Sequence, residues 1–194
     1  MRDPTQPQIR SIDAARSRTG MTRTWQLHTG VETEVVIIDT PAGVTGGQLI
    51  DLFNKADTIL VPVMPNVIDL HAVEGFVGEL MRFAKNRLHG KRIAMVINRV
   101  LFKTATYQKI EELAEKMGIP LIGSLRDTQN YAIAMESGLG ICEMKQSISS
   151  KDRKQWQPII NWLHEAIPGK ETAKSSAYPD MMGWQPEAKS VAIS

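Results

Sequence analysis

The segment EVVIIDTPAG, residues 34–43, constrains the fold more than any other part of the chain. Its β-branched residues 35–38 follow one another with no polar alternation, which predicts a strand buried on both faces of a parallel sheet that helices cover. Asp39 stands at the carboxyl end of this strand, before a glycine-containing turn. Ligands of open α/β sheets bind at that edge, and a carboxylate there commonly serves a magnesium-bound phosphate. Asp39 is therefore the first site candidate, and capping of the turn is its structural alternative.

Length and composition limit the classes of protein to which the chain can belong. Its 194 residues are 42% hydrophobic, which is enough for one α/β domain with a core. The net charge of +2 gives no strong argument for nucleic acid or an anionic membrane. The single cysteine, Cys142, excludes an internal disulfide framework and fits a reducing compartment. The start has no apolar signal core and no run approaches the ~18 apolar residues of a membrane span, so we expect a cytoplasmic protein.

From residue 35 onward the chain alternates strand-like and helix-like patterns, as parallel sheets built from βαβ units do. Apolar residues at three- and four-residue spacing predict helices between the strands, and two more are predicted at about 128–137 and 150–167. Asn66 is predicted to cap the second helix, whose first turn contains Asp69. The α/β domain is expected to span residues 21–167, with a flexible arm at 1–20 and a disordered tail at 168–194. The predicted strands are Val35 to Asp39, Thr58 to Val63, Arg92 to Asn98 and Leu121 to Ser124.

Four motifs stand in a fixed order along the chain: VVIIDTPAG, ADTILVPVMPNVIDLHAV, AMVINRV and GIPLIGSLRDTQNYAIAMESGLGI. Their order and spacing resemble those of the ParA/MinD family of deviant Walker A ATPases, which segregate plasmids and chromosomes or position cellular machinery. The resemblance covers roughly residues 22–167 and is strongest to ParA-type proteins. It implies a P-loop NTPase-like three-layer α/β fold with a mostly parallel sheet. It also implies an ATPase that dimerises, cycles on DNA and responds to a ParB-like partner.

The resemblance implies roles for particular residues with ATP and Mg²⁺. Asp39 would hold Mg²⁺ through water, and Thr40 to Gly43 would form the switch segment that senses the terminal phosphate. Asn98 would contact the adenine base, although the residue itself is equally well explained as a strand-end turn. The segment Ser124 to Thr128, which includes Arg126 and Asp127, would line the base pocket.

The family's phosphate loop, of the type KGGxGKT, has no counterpart in this sequence. A search for G-x-x-x-x-G-K-[ST] finds only HGKR at 89–92 and PGKE at 168–171, and neither has serine or threonine after the lysine. GVTGGQ, residues 43–48, is glycine-rich but contains no lysine. Phosphoryl transfer depends on positioning and charge stabilisation, and the missing loop supplies most of both. Asp39 alone cannot hydrolyse ATP, so we expect weak or no hydrolysis.

The absent loop takes with it a strand that the family places in the middle of the sheet, beside the strand that ends in Asp39. Its loss would leave backbone groups without partners and apolar side chains uncovered. Three explanations are open: the sheet closes differently, another chain supplies the strand, or the sequence is an N-terminally truncated product. We favour the truncated product.

Nonspecific DNA is a further partner that the resemblance implies, because ParA-type proteins bind it through basic residues in their later part. Such contacts to phosphates would depend strongly on salt. For any single residue a solvated helix face is the structural alternative, and no helix-turn-helix pattern is evident. The candidates are Arg126, Lys145, Lys151, Arg153 and Lys154.

The sequence thus predicts a ParA-like partition or positioning ATPase that forms an ATP-dependent, DNA-associated dimer and is inactive or weak as given. Two alternatives remain open. The chain is either a non-catalytic binding module, which forms a heterodimer with a complete ParA-type relative and modulates it, or a truncated remnant. A stable fold without the phosphate loop would favour the binding module.

Overall fold

Five strands and five helices lie along the residues that the computed structural model describes, which are 6, 9, 33, 35–41, 43–84, 91–102, 104–165 and 189–193. The four predicted strands are confirmed, and the third and fourth each continue two residues beyond their predicted ends. The strands are β1 (Val35–Asp39), β2 (Thr58–Val63), β3 (Arg92–Val100), β4 (Leu121–Arg126) and β5 (Lys189–Ile193). The helices are α1 (Gly46–Lys55), α2 (Val67–Ala84), α3 (Ala105–Met117), α4 (Asn130–Glu136) and α5 (Gln146–Glu165).

The strands form one sheet in the order β1-β5-β2-β3-β4, and every neighbouring pair is parallel. Helices α1, α2 and α3 pack on one face of this sheet, through a core that contains Phe53, Leu80 and Ile110. Helix α5 packs on the other face, where Ile159 contacts the core residues of β3 and β4. This arrangement confirms the predicted three-layer α/β fold with a parallel sheet.

The strand β5 corrects the prediction for the end of the chain. Residues 189–193 lie in the segment 168–194 that was expected to be a disordered tail, and that expectation is wrong for these five residues. They pair with all of β1 and with residues 58–60 of β2. The physical reason is that two parallel strand edges present N–H and C=O groups that a third strand must satisfy. Of the three explanations for the missing strand, the sheet closes differently; whether the chain is truncated stays a prediction.

The two faces of the sheet are covered unequally. In β2, Ile59, Val61 and Val63 face the core under α1–α3, while Leu60 faces the core under α5. The prediction that β1 is buried on both faces is wrong, because Val35 is 42% and Ile37 66% exposed. β1 is an edge strand, and within the described residues α5 covers β3 and β4 but not β1.

The helices α2 and α3 begin or end at residues that the sequence marks as capping residues. The N–H of Asp69 donates to Oδ1 of Asn66 at 2.9 Å, which confirms the predicted cap of α2. Thr104 caps α3 in the same way through the N–H of Tyr107. Gly118 ends α3 with φ at 66°, a left-handed conformation that glycine adopts without a steric penalty. No helix among the described residues is long and apolar enough to cross a membrane.

Two cations at the amino edge of the sheet hold the carboxyl ends of helices. Lys91 donates to the carbonyls of Asn54 and Ala56, at 3.2 and 2.6 Å, just after α1 ends. Arg92, the first residue of β3, donates to the Trp162 carbonyl at 2.6 Å and to Glu165 at 3.3 Å. Cations are favourable at these helix ends because the carbonyls there carry negative partial charge. The carboxyl end of α5 therefore lies at the amino edge of the sheet.

Candidate functional site

The carboxyl ends of the parallel strands lie along one edge of the sheet, and the predicted site residues lie along it. Asp39 ends β1 and is exposed, and its backbone is level with Ile193 of β5. The following turn contains Gly43 at φ 76° and ends in the buried Val44. Beyond it, the N–H of Gly46 donates to Oε1 of Glu79 at 2.9 Å, which ties the start of α1 to α2. The predicted switch segment thus lies between the end of β1 and the start of α1.

Asp39 is suited to be one ligand of a magnesium ion, but the described residues around it do not supply the other ligands of a complete metal site. Its carboxylate is exposed, so a hydrated cation can approach it. Among the described residues no group of three or more His, Cys, Asp or Glu side chains is placed to hold a metal ion. Mg²⁺ commonly takes one or two carboxylates, and waters and phosphate oxygens complete its shell. Asp39 therefore fits such an ion only when a ligand brings its own oxygens.

Asn98 lies at an irregularity near the carboxyl end of β3. The register of β3 on β4 shifts between Ile97 and Val100, and Arg99 has φ at 54°, the one positive value at a non-glycine residue in the described chain. The N–H of Arg99 donates to Oδ1 of Asn98 at 2.9 Å. The Asn98 side chain thus stabilises this bulge through its oxygen, as its turn interpretation predicts. Its amide NH₂ group is still a donor that a base edge could use.

The predicted base-pocket residues lie on and just after β4. Ser124 is half-buried and level with Ile97, and Asp127 is exposed, with its N–H donating to the Val100 carbonyl at 3.1 Å. Arg126 is occupied by other partners. Its Nε and Nη2 donate to the two carboxylate oxygens of Asp152 on α5, at 2.6 and 3.1 Å.

Asp152 is the centre of a polar network that the sequence did not predict. Its side chain is fully buried, and Oδ2 also accepts from the Asn130 amide at 2.8 Å. The hydrogen bond from Arg126 lowers the pKa of the Asp152 carboxyl, and the same bond raises the pKa of Arg126. The sequence did contain a signal that this carboxylate is buried and paired. Asp152 lies on the apolar stripe of α5, four residues before Trp156 and seven before Ile159, where a carboxylate needs a partner.

The strand order separates the two halves of the predicted site. Asp39 on β1 and Asn98 on β3 are three strand positions apart, which is roughly 14 Å across the sheet. The register makes Asp39 level with Ala94 of β3, so Asn98 also lies four residues, roughly 13 Å, further along the strand direction. No side chain bridges this distance directly. Only an elongated ligand lying across the carboxyl ends of β5 and β2 could touch both residues.

The predicted DNA-binding residues divide into two groups. Arg126 is paired with Asp152, and Arg153 donates to the Ser149 hydroxyl at 3.0 Å and to the Met144 carbonyl. The remaining three, Lys145, Lys151 and Lys154, are exposed on α5 and the turn before it.

Comparison with known proteins finds a similar curated sequence and similar solved structures. No protein-family model matches the chain. The "Maintenance of carboxysome distribution protein A" of Halothiobacillus neapolitanus is 24% identical over 136 residues, which are 70% of this chain and 61% of the relative. This similarity agrees with the ParA/MinD resemblance of the four sequence motifs. The chain spans about three-fifths of the length of this relative. The MinD cell division protein of Aquifex aeolicus aligns with a TM-score of 0.48 and 18% identity, over 68% of this chain and 54% of its own.

Proposed function

We propose that the chain is a ParA-like positioning protein whose carboxyl sheet edge binds magnesium-ATP weakly and hydrolyses it slowly or not at all. One observation carries this proposal: Asp39 is exposed at the carboxyl end of β1, on the edge that also holds Asn98. The similarity to a carboxysome distribution protein supports a positioning role. The role would be partition of plasmids or chromosomes or placement of another cargo. A ParB-like protein, nonspecific DNA and a second copy or a complete relative are its proposed partners.

The residues present fit only part of this ligand. Asp39 suits a hydrated magnesium ion, and Asn98 suits a base edge. No lysine of a phosphate loop occurs in the sequence, and Arg99 is the one cation in the described segments 40–41, 43–44, 64–67, 98–102 and 127–130 along this edge. The triphosphate therefore lacks the cradle of N–H groups and lysine that holds it in P-loop proteins. Weak binding without efficient hydrolysis follows from this partial fit.

The first prediction concerns Asp39. We expect Mg-ATP to bind the folded chain in the high micromolar to millimolar range, and Asp39→Ala to weaken binding about tenfold, the value of one charge-assisted contact. Isothermal titration calorimetry measures both constants, and Glu111→Ala, an exposed carboxylate on α3, is the matched control. Equal affinities for Asp39→Ala and the native chain would remove Asp39 from the site. Rapid hydrolysis of ATP would contradict the proposal that the residues present fit only part of this ligand.

The second prediction concerns DNA. The double variant Lys151→Ala/Lys154→Ala removes two exposed cations of α5 and should weaken binding to random duplex DNA at every sequence alike. The slope of log K against log salt should fall by roughly 1.8, because each lost phosphate contact accounts for about 0.9. Fluorescence anisotropy at several salt concentrations measures the slope. Lys109→Ala/Lys116→Ala on α3 is the matched control, and an equal loss in that control would assign the effect to net charge instead of to α5.

A second candidate function is a non-catalytic binding module that pairs with a complete ParA-type relative. The observation that favours it is β5, which fills the position between β1 and β2 so that the sheet closes without a phosphate-loop strand. Such a module would be folded, would not respond to Mg-ATP, and would co-elute with a relative that carries the loop. Nucleotide binding that depends on Asp39 separates the two candidates in favour of the first.

A further inference from the structure

β5 is the strand through which β1 is attached to the rest of the sheet. Within the described residues all five positions of β1 pair with β5, and none pairs with β2. β5 in turn pairs with β2 at residues 191–193 alone, whereas β2 and β3 pair at six positions. Elements with few pairings open at a lower free-energy cost than the sheet they belong to. The pairing of β5 with β2 is therefore the weakest joint of this sheet, and once it opens β5 is held by its pairs with β1 alone.

The slot between β1 and β2 is built for a parallel strand of defined register. The slot sets Ala192 level with Ile38 on one side and with Ile59 on the other, and both isoleucines belong to the core under α1–α3. Without β5, the facing edges of β1 and β2 would expose N–H and C=O groups along an apolar stretch. Such edges capture another strand readily.

The chain that leads to β5 is long compared with the distance it must cover. Helix α5 ends at the amino edge, where Arg92 contacts Trp162 and Glu165, and β5 begins at the same edge with Lys189 level with Val35. A helix layer and two strand positions separate these points by roughly 14 Å. The connection, residues 166–188, can reach about 75 Å when extended. Its length allows β5 to reach its own slot or that of a neighbouring molecule.

We propose that the slot between β1 and β2 accepts β5 from a second copy of this chain, which gives a dimer by reciprocal strand exchange. The exchanged strand makes the same pairs as before, because another copy carries the same segment with the same register. The balance between the two forms depends on the ratio of the protein concentration to the effective concentration of the tethered strand, which is of millimolar order for short linkers. The exchange requires no nucleotide and is thus independent of the proposed function.

Shortening the connection tests the proposal. Deleting residues 166–187 leaves one connecting residue, so the Cα atoms of Glu165 and Lys189 can be at most about 7 Å apart and β5 no longer reaches its own slot. We expect this variant to be dimeric at micromolar concentration by size exclusion with light scattering, while the full chain is monomeric under the same conditions. A folded monomer in which the amides of β1 remain protected from hydrogen exchange overturns the proposal.

Cysteine pairing tests the same exchange in chains of full length, should the deletion variant fail to fold. In a Cys142→Ser background, chains with Ile37→Cys and chains with Val191→Cys are mixed at millimolar concentration under reversible oxidation. These positions are register partners, which lie at a separation that a disulfide can bridge. We expect at least about tenfold more linked dimer than from Ile68→Cys with Val191→Cys, the control at an exposed site, once concentration reaches the effective value. A yield equal to that of the control overturns the proposal.

Discussion

Replacement of Arg126 by methionine should lower the free energy of unfolding by about 3 kcal/mol, since it leaves the carboxylate of Asp152 buried without its cation. The side chain of Arg126 is 34% exposed, so the loss should lie at the low end of what breaking a buried ion pair costs. Methionine keeps the apolar stem, which separates the lost charge from lost packing. Urea unfolding at pH 7 measures the difference.

The matched control removes both charges. Arg126→Met/Asp152→Asn leaves no buried carboxylate, so it should be at least about 1 kcal/mol more stable than Arg126→Met alone. Arg126→Lys keeps a cation but loses the bidentate contact. Its free energy of unfolding should lie between those of Arg126→Met and the double variant. A double variant that is less stable than Arg126→Met would show that the pair is not the source of the loss.

The same pair gives the native chain an acid-dependent stability. The hydrogen bond from Arg126 lowers the pKa of Asp152 in the folded state, so its stabilising contribution is fully present above the unfolded pKa of about 3.9. It is lost as the pH falls through the lowered folded pKa. Asp152→Asn has no such carboxyl, so the stability gap between native chain and variant should be constant from pH 7 to 5 and should narrow below pH 4. A gap that widens in acid would contradict this assignment.

The elements that the sequence predicted well are those whose signal is local. The β-branched run of β1 and the apolar run of β2 gave both strands with their observed ends. Asn66, three residues before Asp69, marked the start of α2 because the cap involves only neighbouring residues. Asp39 was placed correctly at the carboxyl end of its strand, although its ligand remains a proposal.

What the sequence missed depends on residues far apart along the chain. The segment KSVAI is too short to show a period, and only the slot between β1 and β2, about 150 residues earlier, makes it a strand. The exposure of Ile37 has the same origin, because strand order sets which strand lies at the edge. Arg126 was assigned to a ligand because its partner Asp152 lies on another element.

Replacement of Val191 by proline should detach β1 from the sheet while β2, β3 and β4 stay folded. Val191 lies in the middle of β5, level with Ile37 and Thr58, and proline there removes a backbone donor from a strand with neighbours on both sides. We expect the free energy of unfolding to fall by about 2–4 kcal/mol. Hydrogen exchange resolved by residue provides the sharper readout, because protection should disappear at residues 35–39 and remain at 93–97.

Val191→Ala serves as the control, because it shortens the side chain but keeps the N–H and should leave β1 protected. If the proline variant also leaves residues 35–39 protected, β1 is not held through β5. Loss of β1 would have a consequence at the carboxyl edge, since Asp39 and the turn up to Gly43 follow directly from this strand. The proline variant should then bind Mg-ATP no better than Asp39→Ala. The short strand β5 would thereby determine whether the carboxylate of Asp39 is held at the carboxyl edge of the sheet.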